Sequence, residues 1–288
     1  MPVIYGFALP SPQASSPGDV TVTGRPWLIL PTYDEADNLE PLIAAILPIM
    51  RQARGRNGFR VLVVDDASPD GTGRIAIRLA ARNQEVGVLH RTRREGLGPA
   101  YLAGFAAALT GDASHVIEMD ADFSHEPQDL PRLLEAAEHA DLVLGSRYVP
   151  GGSVADWGLA RRMVSRAGSA YARRVLDLHL ADLTGGFKCF RRRVLESIDL
   201  PSVRSRGYAF QVELTYRAAV AGFRVVELPI VFRDRRLGRS KMSWRIALEA
   251  AALVPQLKTS ATRADLRRER SSGIEPSTAA AQTPHTAE

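Results

Sequence analysis

Short apolar runs alternate along this chain with segments whose apolar residues recur every three or four positions. "WLILP" (27–31) is an apolar run stopped by Pro31. "DNLEPLIAAILPIMRQA" follows, with Leu39, Leu42, Ile43, Ile46 and Leu47 at helical spacing. Asp37 stands where it can cap that helix, with Glu40 three residues on to complete a capping box. "FRVLVVDDAS" (59–68) is a β-branched strand that runs into acids, and "GTGRIAIRLAARN" is helical. "VGVLH" is a strand and "GPAYLAGFAAALTG" a helix closed by Gly111. "HVIEMD", the helix "PQDLPRLLEAAEHA" and the strand "DLVLGSRY" continue the alternation. Strand interiors that are apolar throughout, with helices between them, predict an α/β fold whose mostly parallel sheet is covered on both faces. No internal repeat is present.

The flanks differ in composition. Residues 1–24, rich in Pro, Ser, Gly and Thr, are expected to form a disordered leader, and residues 259–288 a disordered tail. Residues 25–242 then form a single domain. Residues 243–258 form an amphipathic helix, with Trp244, Ile246, Ala247, Leu248, Leu253 and Leu257 on one side and Lys241, Arg245 and Lys258 flanking. That helix suits either a membrane interface or packing against its own domain.

In a parallel sheet, ligands sit beyond the carboxyl ends of the strands. Three such ends carry polar chemistry: "PTYDE", "DDASPDGT" and "DADFSH". Asp120 and Asp122, one residue apart, can hold a hard divalent cation such as Mg2+ or Mn2+. They can equally be a polar turn after a strand. Asp65 and Asp66 repel each other as adjacent carboxylates and need donors or a cation, whereas Asp70 and Gly71 are explained by a tight turn. Tyr33 offers an aromatic face and Glu35 an acceptor for a nucleobase.

Composition narrows the class. Of 288 residues, 45% are hydrophobic and 24% charged, which is ordinary for a globular protein. The single cysteine, Cys189, excludes an internal disulfide and a cysteine-rich zinc site, and it lies in an apolar stretch expected in the core. The six histidines show no metal spacing; His125 is the one beside the acidic turn. No basic leader with a compact apolar core begins the sequence, and no apolar run reaches the ~18–20 residues of a membrane span. The expected location is therefore the cytosolic side. The net charge of +5 comes with late arginine clusters, "ARRMVSRAGSAYARR", "FRRRV" and "FRDRRLGRSK", which are solvated helix faces or sites for anions.

Seven segments in order, "LPTYDEADNLE", "VLVVDDASPDGT", "HRTRREGLGPAYLAGF", "VIEMDADFSHEP", "LVLGSRYVPGG", "LTGGFKCFRRRVL" and "GRSKMS", resemble the family-2 inverting glycosyltransferases, and among them the dolichol- or polyprenol-phosphate mannosyltransferases. The resemblance covers about residues 26–245. It implies a Rossmann-like GT-A fold, a GDP-mannose donor, Mg2+ or Mn2+, and a polyprenyl monophosphate acceptor, with no nucleic acid involved. By position it implies that Pro31, Tyr33, Glu35, Val64 and Asp66 hold the guanosine. Asp120, Ala121 and Asp122 hold the diphosphate through the metal. Ser124, where many relatives have Gln, is the third and shortest metal ligand. Arg147, Arg192, Arg235 and Lys241 fall at phosphate-binding positions and Arg161 at the acceptor phosphate, so Asp122, Arg147 and Arg161 stand nearest the reaction. A phosphate monoester with a second pKa near 6 is largely dianionic already, so no catalytic base is expected. The amphipathic segments at 154–180, with five arginines, and at 243–258 imply peripheral attachment to the cytoplasmic face of a membrane, either directly or with an integral membrane partner. Competing readings are a transferase with another donor such as UDP-glucose or a polysaccharide acceptor, a phospho-receiver domain, and a non-catalytic nucleotide-sugar sensor.

Overall fold

The computed structural model describes residues 4–6, 24–203, 205, 207–234, 252 and 254–259. In chain order the elements are β1 (Ile4–Tyr5), β2 (Arg25–Thr32), α1 (Ala36–Arg54), β3 (Arg60–Asp65), α2 (Thr72–Arg82) and β4 (Val86–His90). They continue with α3 (Leu97–Thr110), β5 (Ala113–Glu118), α4 (Asp129–Ala136), β6 (Leu142–Ser146), β7 (Ser153–Val154) and α5 (Leu159–Leu176). The last are β8 (Lys188–Arg191), α6 (Arg192–Ser197), α7 (Tyr208–Val220), β9 (Val225–Pro229) and β10 (Val231–Phe232).

One sheet runs in the order β1-β4-β3-β2-β5-β8-β6-β9. β4, β3, β2 and β5 are mutually parallel, as are β6 and β9, while β8 runs antiparallel to both β5 and β6. The strand residues alternate between two apolar layers. Leu28, Leu30, Val61 and Val63 pack with Leu39, Leu42, Ile43 and Ile46 of α1. Trp27, Ile29, Leu62 and Val64 pack with Tyr101 and Phe105 of α3 and Phe210 of α7. Burial on both faces is why these strands are apolar at nearly every position. Gly104 lets α3 lie close, since a Cβ there would stand 2.4 Å from Ile29 Cγ2. Cys189 is fully buried on β8.

Several expectations need correction. Ile4–Tyr5, in the supposed disordered leader, pair antiparallel with β4 at the sheet edge. Asp37 lies inside α1 rather than capping it; the Ala36 N–H donates instead to Asp70 Oδ2 at 3.0 Å, so the cap comes from the neighbouring loop. "KCFR" (188–191) forms an inserted antiparallel strand that its short apolar run did not announce. Of the helix expected over 243–258, residues 243–251 lie outside the described residues. Residues 254–259 are helical, and Val254 and Leu257 pack against Ala172, Leu176, Val212 and Tyr216. That end of the segment packs against its own domain. Arg235 and Lys241 lie outside the described residues.

Candidate functional site

β2 sits between β3 and β5, so the three polar strand ends adjoin at one rim. Each carries a non-glycine residue in the left-handed region: Asp34 (φ 57°), Ala67 (φ 60°) and Phe123 (φ 61°). Such residues cost of order 1–3 kcal/mol each and gather at functional sites. The loops are tied together. Thr72 donates to Asp70 Oδ1 through both N–H (3.0 Å) and hydroxyl (2.6 Å), and its hydroxyl accepts from the Glu35 N–H at 3.0 Å.

The adjacent acids obtain their compensation from within the chain. Asp65 lies opposite His90 in the sheet, 3.2 Å from its Nδ1. Asp66, buried, accepts from Arg91 Nη1 at 2.5 Å, from the Gly96 N–H at 2.7 Å and from the Glu95 N–H at 3.1 Å. These bonds compensate the Asp66 charge from within the chain and fix the loop between β4 and α3. The guanidinium of Arg94 lies 3.8 Å over the Tyr33 ring, on the aromatic face expected to meet a base. Glu35 Oε2 accepts from Asn38 Nδ2 at 2.8 Å. Pro31 and Val64 are buried and directly paired in register.

Beyond β5, Asp120 is half-buried and accepts from the Tyr101 hydroxyl at 3.3 Å. Burial, then the nearby Asp120 charge, holds the Tyr101 hydroxyl well above its ordinary value. Asp122 is buried and accepts from the Ser124 N–H at 3.0 Å, and Ala121 is buried beside it. The Ser124 hydroxyl and both ring nitrogens of His125 are buried without a hydrogen-bond partner. His125 stacks on Phe187 (4.9 Å between centroids), meets the edge of Phe232 (5.2 Å), and brings Nε2 to 3.9 Å from Asp120 Oδ2. Burial lowers its pKa to about 4, so it is neutral at pH 7. Among the described residues no group of three or more His, Cys, Asp or Glu is arranged to hold a metal ion. Two carboxylates and a hydroxyl are hard oxygen donors of the kind Mg2+ or Mn2+ takes when substrate phosphates complete its shell.

Beneath Asp120 lies a polar floor that the sequence did not reveal. Glu118 and Lys188 are fully buried and directly opposed across β5 and β8. Burial raises Glu118 to about 8 and lowers Lys188 to about 8. Lys188 Nζ donates to the Gln211 carbonyl on α7 at 2.7 Å.

The arginines separate into three cases. Arg147 reaches this rim buried, forking onto Asp182 through Nε (2.6 Å) and Nη2 (2.7 Å) and donating to Thr184 Oγ1 at 2.8 Å. Both its charge and that of Asp122 act on His125. Arg161 lies 3.9 Å over the Trp157 ring and pairs with Asp234 at 3.0 Å. Trp157 meets Phe232 at 5.3 Å, so an aromatic ladder joins Arg161 to His125. Arg192, expected at a phosphate, is elsewhere. It donates to the carbonyls of Leu109 (2.6 Å), Gly111 (3.1 Å) and Ala113 (3.2 Å) and pairs with Glu196. β8 runs antiparallel, so the residue after it falls at the opposite edge of the sheet, beside the start of β5. Arg192 secures the end of α3 there.

This α/β sandwich, with carboxylates at adjacent strand ends, is a GT-A-like single domain. The profile of the family described as Glycosyl transferase family 2 matches residues 27–199, and the chain belongs to that family and is a glycosyltransferase. It is 49% identical over 226 residues to the undecaprenyl-phosphate mannosyltransferase of Micrococcus luteus, covering 78% of this chain and 90% of that one. It is 48% identical over 229 residues to the polyprenol monophosphomannose synthase of Mycolicibacterium smegmatis, covering 79% and 84%. Among solved structures it superposes on glucosyl-3-phosphoglycerate synthase of Mycobacterium tuberculosis bound to phosphoglyceric acid, with a TM-score of 0.60 at 18% identity over 82% of this chain and 81% of that one. The complex of that enzyme with Mn2+, UDP-glucose and phosphoglyceric acid gives 0.57 at 18% identity over 88% and 87%.

Proposed function

We propose that the chain transfers mannose from GDP-mannose to a polyprenyl monophosphate, with inversion at the anomeric carbon. The carrying observation is near-half identity, over about four-fifths of the chain, to two proteins named as transferring mannose to such lipids. A phosphate oxygen of the acceptor forms the new bond to the anomeric carbon as the bond to the diphosphate breaks, and GDP leaves. The acceptor is already anionic, so no residue has to remove a proton. That agrees with a rim whose histidine is neutral and enclosed.

Pro31, Tyr33, Glu35, Val64 and Asp66 line the guanosine side, with Asp66 acting through the loop it holds. Arg94, stacked on Tyr33, is added to that set. Asp120 and Asp122, with Ser124, would hold Mg2+ or Mn2+, which when bound neutralises the diphosphate as it departs. The partnerless Ser124 hydroxyl fits that role, and so does the Mn2+ and nucleotide sugar named for the structural neighbour. Arg147, with Arg235 and Lys241 from the segment outside the described residues, meets the diphosphate. Arg161 meets the acceptor phosphate.

No helix among the described residues is long and apolar enough to cross a membrane. A lipid acceptor needs a surface contact, and α5 offers one. Leu159 and Met163 are 78% and 71% exposed, and Val164 is also exposed, beside Arg162 and Arg166. This pattern suits anionic headgroups at the cytoplasmic face, with or without an integral membrane partner. The test is incubation with labelled GDP-mannose, a divalent cation and polyprenyl phosphate. A lipid-soluble, mild-acid-labile product is expected; product only from UDP-glucose would overturn the donor assignment.

A further inference from the structure

Gln211 holds an unusual position. Its backbone is gripped, because its carbonyl accepts from buried Lys188 Nζ at 2.7 Å and from the Thr215 hydroxyl at 3.0 Å. Its side chain is buried, yet neither the amide nitrogen nor the amide oxygen has a hydrogen-bond partner. The amide lies close enough to Glu118 to favour that carboxylate's ionised form without reaching hydrogen-bond geometry with it. Leaving such a group unsatisfied costs roughly 1–3 kcal/mol, which a partner from outside the chain would recover.

Gly186 shows where that partner sits. A Cβ built on Gly186 would lie 3.6 Å from Gln211 Nε2 and 3.7 Å from Asp120 Oδ2, with nothing closer. The amide and the carboxylate therefore face the same small space, kept open by a residue without a side chain. Gly186 has no positive φ, so it is not there for backbone reasons. The chemistry of the walls selects the occupant. The Asp120 charge on this wall disfavours a bare anion and favours a neutral group that donates hydrogen bonds. A primary amide both donates and accepts, as a hydroxyl does, and a carboxylate accepts from hydroxyls.

Resting on the glycosyltransferase reading above, we infer that Gln211 and the space over Gly186 form the subsite that reads the hydroxyls of the transferred sugar ring, making Gln211 a specificity-determining residue. Lys188 acts as a positioning residue that fixes the α7 turn carrying it. Sites built to hydrogen-bond a substrate hydroxyl discriminate strongly, because an analogue lacking it leaves buried groups unpaired.

The test compares the full-length wild type with Gln211→Leu and Gly186→Ala, measuring dissociation constants for GDP and for GDP-mannose by calorimetry with Mn2+. It also measures kcat/KM for GDP-mannose against GDP-glucose. Gln211→Leu is expected to bind GDP within about twofold of wild type but GDP-mannose about tenfold or more weakly, with its preference between the two sugars reduced by a similar factor. Gly186→Ala, whose added methyl makes only ordinary contacts, is expected to do the same by filling the space, and it keeps the test open if Gln211→Leu fails to fold. Equal loss for GDP and GDP-mannose, or unchanged sugar preference in both variants, overturns the inference. Should the wild type use another nucleotide sugar, the donor assignment fails separately. The same comparison with that donor and its free nucleotide then decides the role of Gln211.

Discussion

Arg147 and Asp182 form a fork-to-fork ion pair in which both side chains are almost wholly enclosed, at 4% and 0% exposure. The pair fixes the residue that follows β6, Arg147, to the loop ahead of β8. Asp182 also accepts from the Arg147 N–H at 3.1 Å, and its own N–H donates to Glu227 on β9 at 2.9 Å. Removing one member strands a buried charge, so Asp182→Ala is expected to destabilise the domain by about 3–5 kcal/mol. A lowered urea midpoint at unchanged m-value would show it. The Arg147 charge and the hydrogen bonds hold the Asp182 carboxyl below its ordinary value against the opposing effect of burial. Its stabilising share is present above the usual aspartate range and is lost as pH falls through the lowered folded value.

Asp120 and Asp122 are expected to serve transfer rather than folding, since the strands behind them are secured by apolar layers. Asp122→Ala should reduce kcat/KM by about a thousandfold while shifting Tm only slightly. Chelation with EDTA should abolish turnover of the wild type, with recovery on adding Mn2+ or Mg2+. Retained Mn2+ binding by the Asp120→Ala/Asp122→Ala double variant would count against the assignment.

Arg192 is expected to serve stability rather than nucleotide binding. Arg192→Ala removes donors from three carbonyls near the end of α3, so it is expected to lower stability by about 1–3 kcal/mol. GDP affinity should stay within about twofold of wild type, because the residue lies across the sheet from the rim. Weakened nucleotide binding with unchanged stability would restore the phosphate role.

What the sequence disclosed was set by local pattern. Runs such as "VLVVD" and the spacing of Leu39, Leu42, Ile43 and Ile46 are single-segment properties, and they produced β3 and α1 within a few residues. The acidic strand ends were legible because a fold-class rule places ligands there. Non-local facts were not legible. Nothing in "FKCFRRRV" states that β8 inserts antiparallel, and that orientation alone moves Arg192 to the far edge. The chain's own partners of Asp66, namely Arg91, Glu95 and Gly96, lie more than twenty residues away in sequence, so no local pattern shows them. Glu118, Lys188 and Gln211 are far apart in sequence and meet only when the sheet and α7 stack them. The available signal was a charged residue at the end of each of two apolar strands, Glu118 closing β5 and Lys188 opening β8.

Acid should weaken the fold through two histidines. Burial lowers both His125 and His115 to about 4 from an ordinary value near 6.5. The unfolded chain therefore binds more protons than the folded one between these values, and stability falls as pH drops from about 6.5 to 4. The loss reaches roughly 3 kcal/mol for fully buried His125 and less for the partly open His115. His115→Gln, remote from the rim, should flatten the slope of Tm against pH in that window and leave transfer unchanged. An identical slope in the variant would show that other groups carry the acid sensitivity.

The stack of Arg161 on Trp157 makes a prediction that separates charge from geometry. Trp157 is buried and held edge-on by Phe232 at the end of the β7–β10 ribbon. Its face therefore fixes the direction of the guanidinium as well as attracting it. Arg161→Ala should raise KM for polyprenyl phosphate by about tenfold or more, the loss of one charge-assisted contact to phosphate, with GDP-mannose affinity nearly unchanged. Arg161→Lys keeps the charge but loses the planar fork and the stack, and should recover only part of that loss. Trp157→Leu keeps the arginine but frees its orientation, and should fall between them. Equal activity of Arg161→Lys and wild type across acceptor concentrations would mean that charge alone suffices and the ring is only packing.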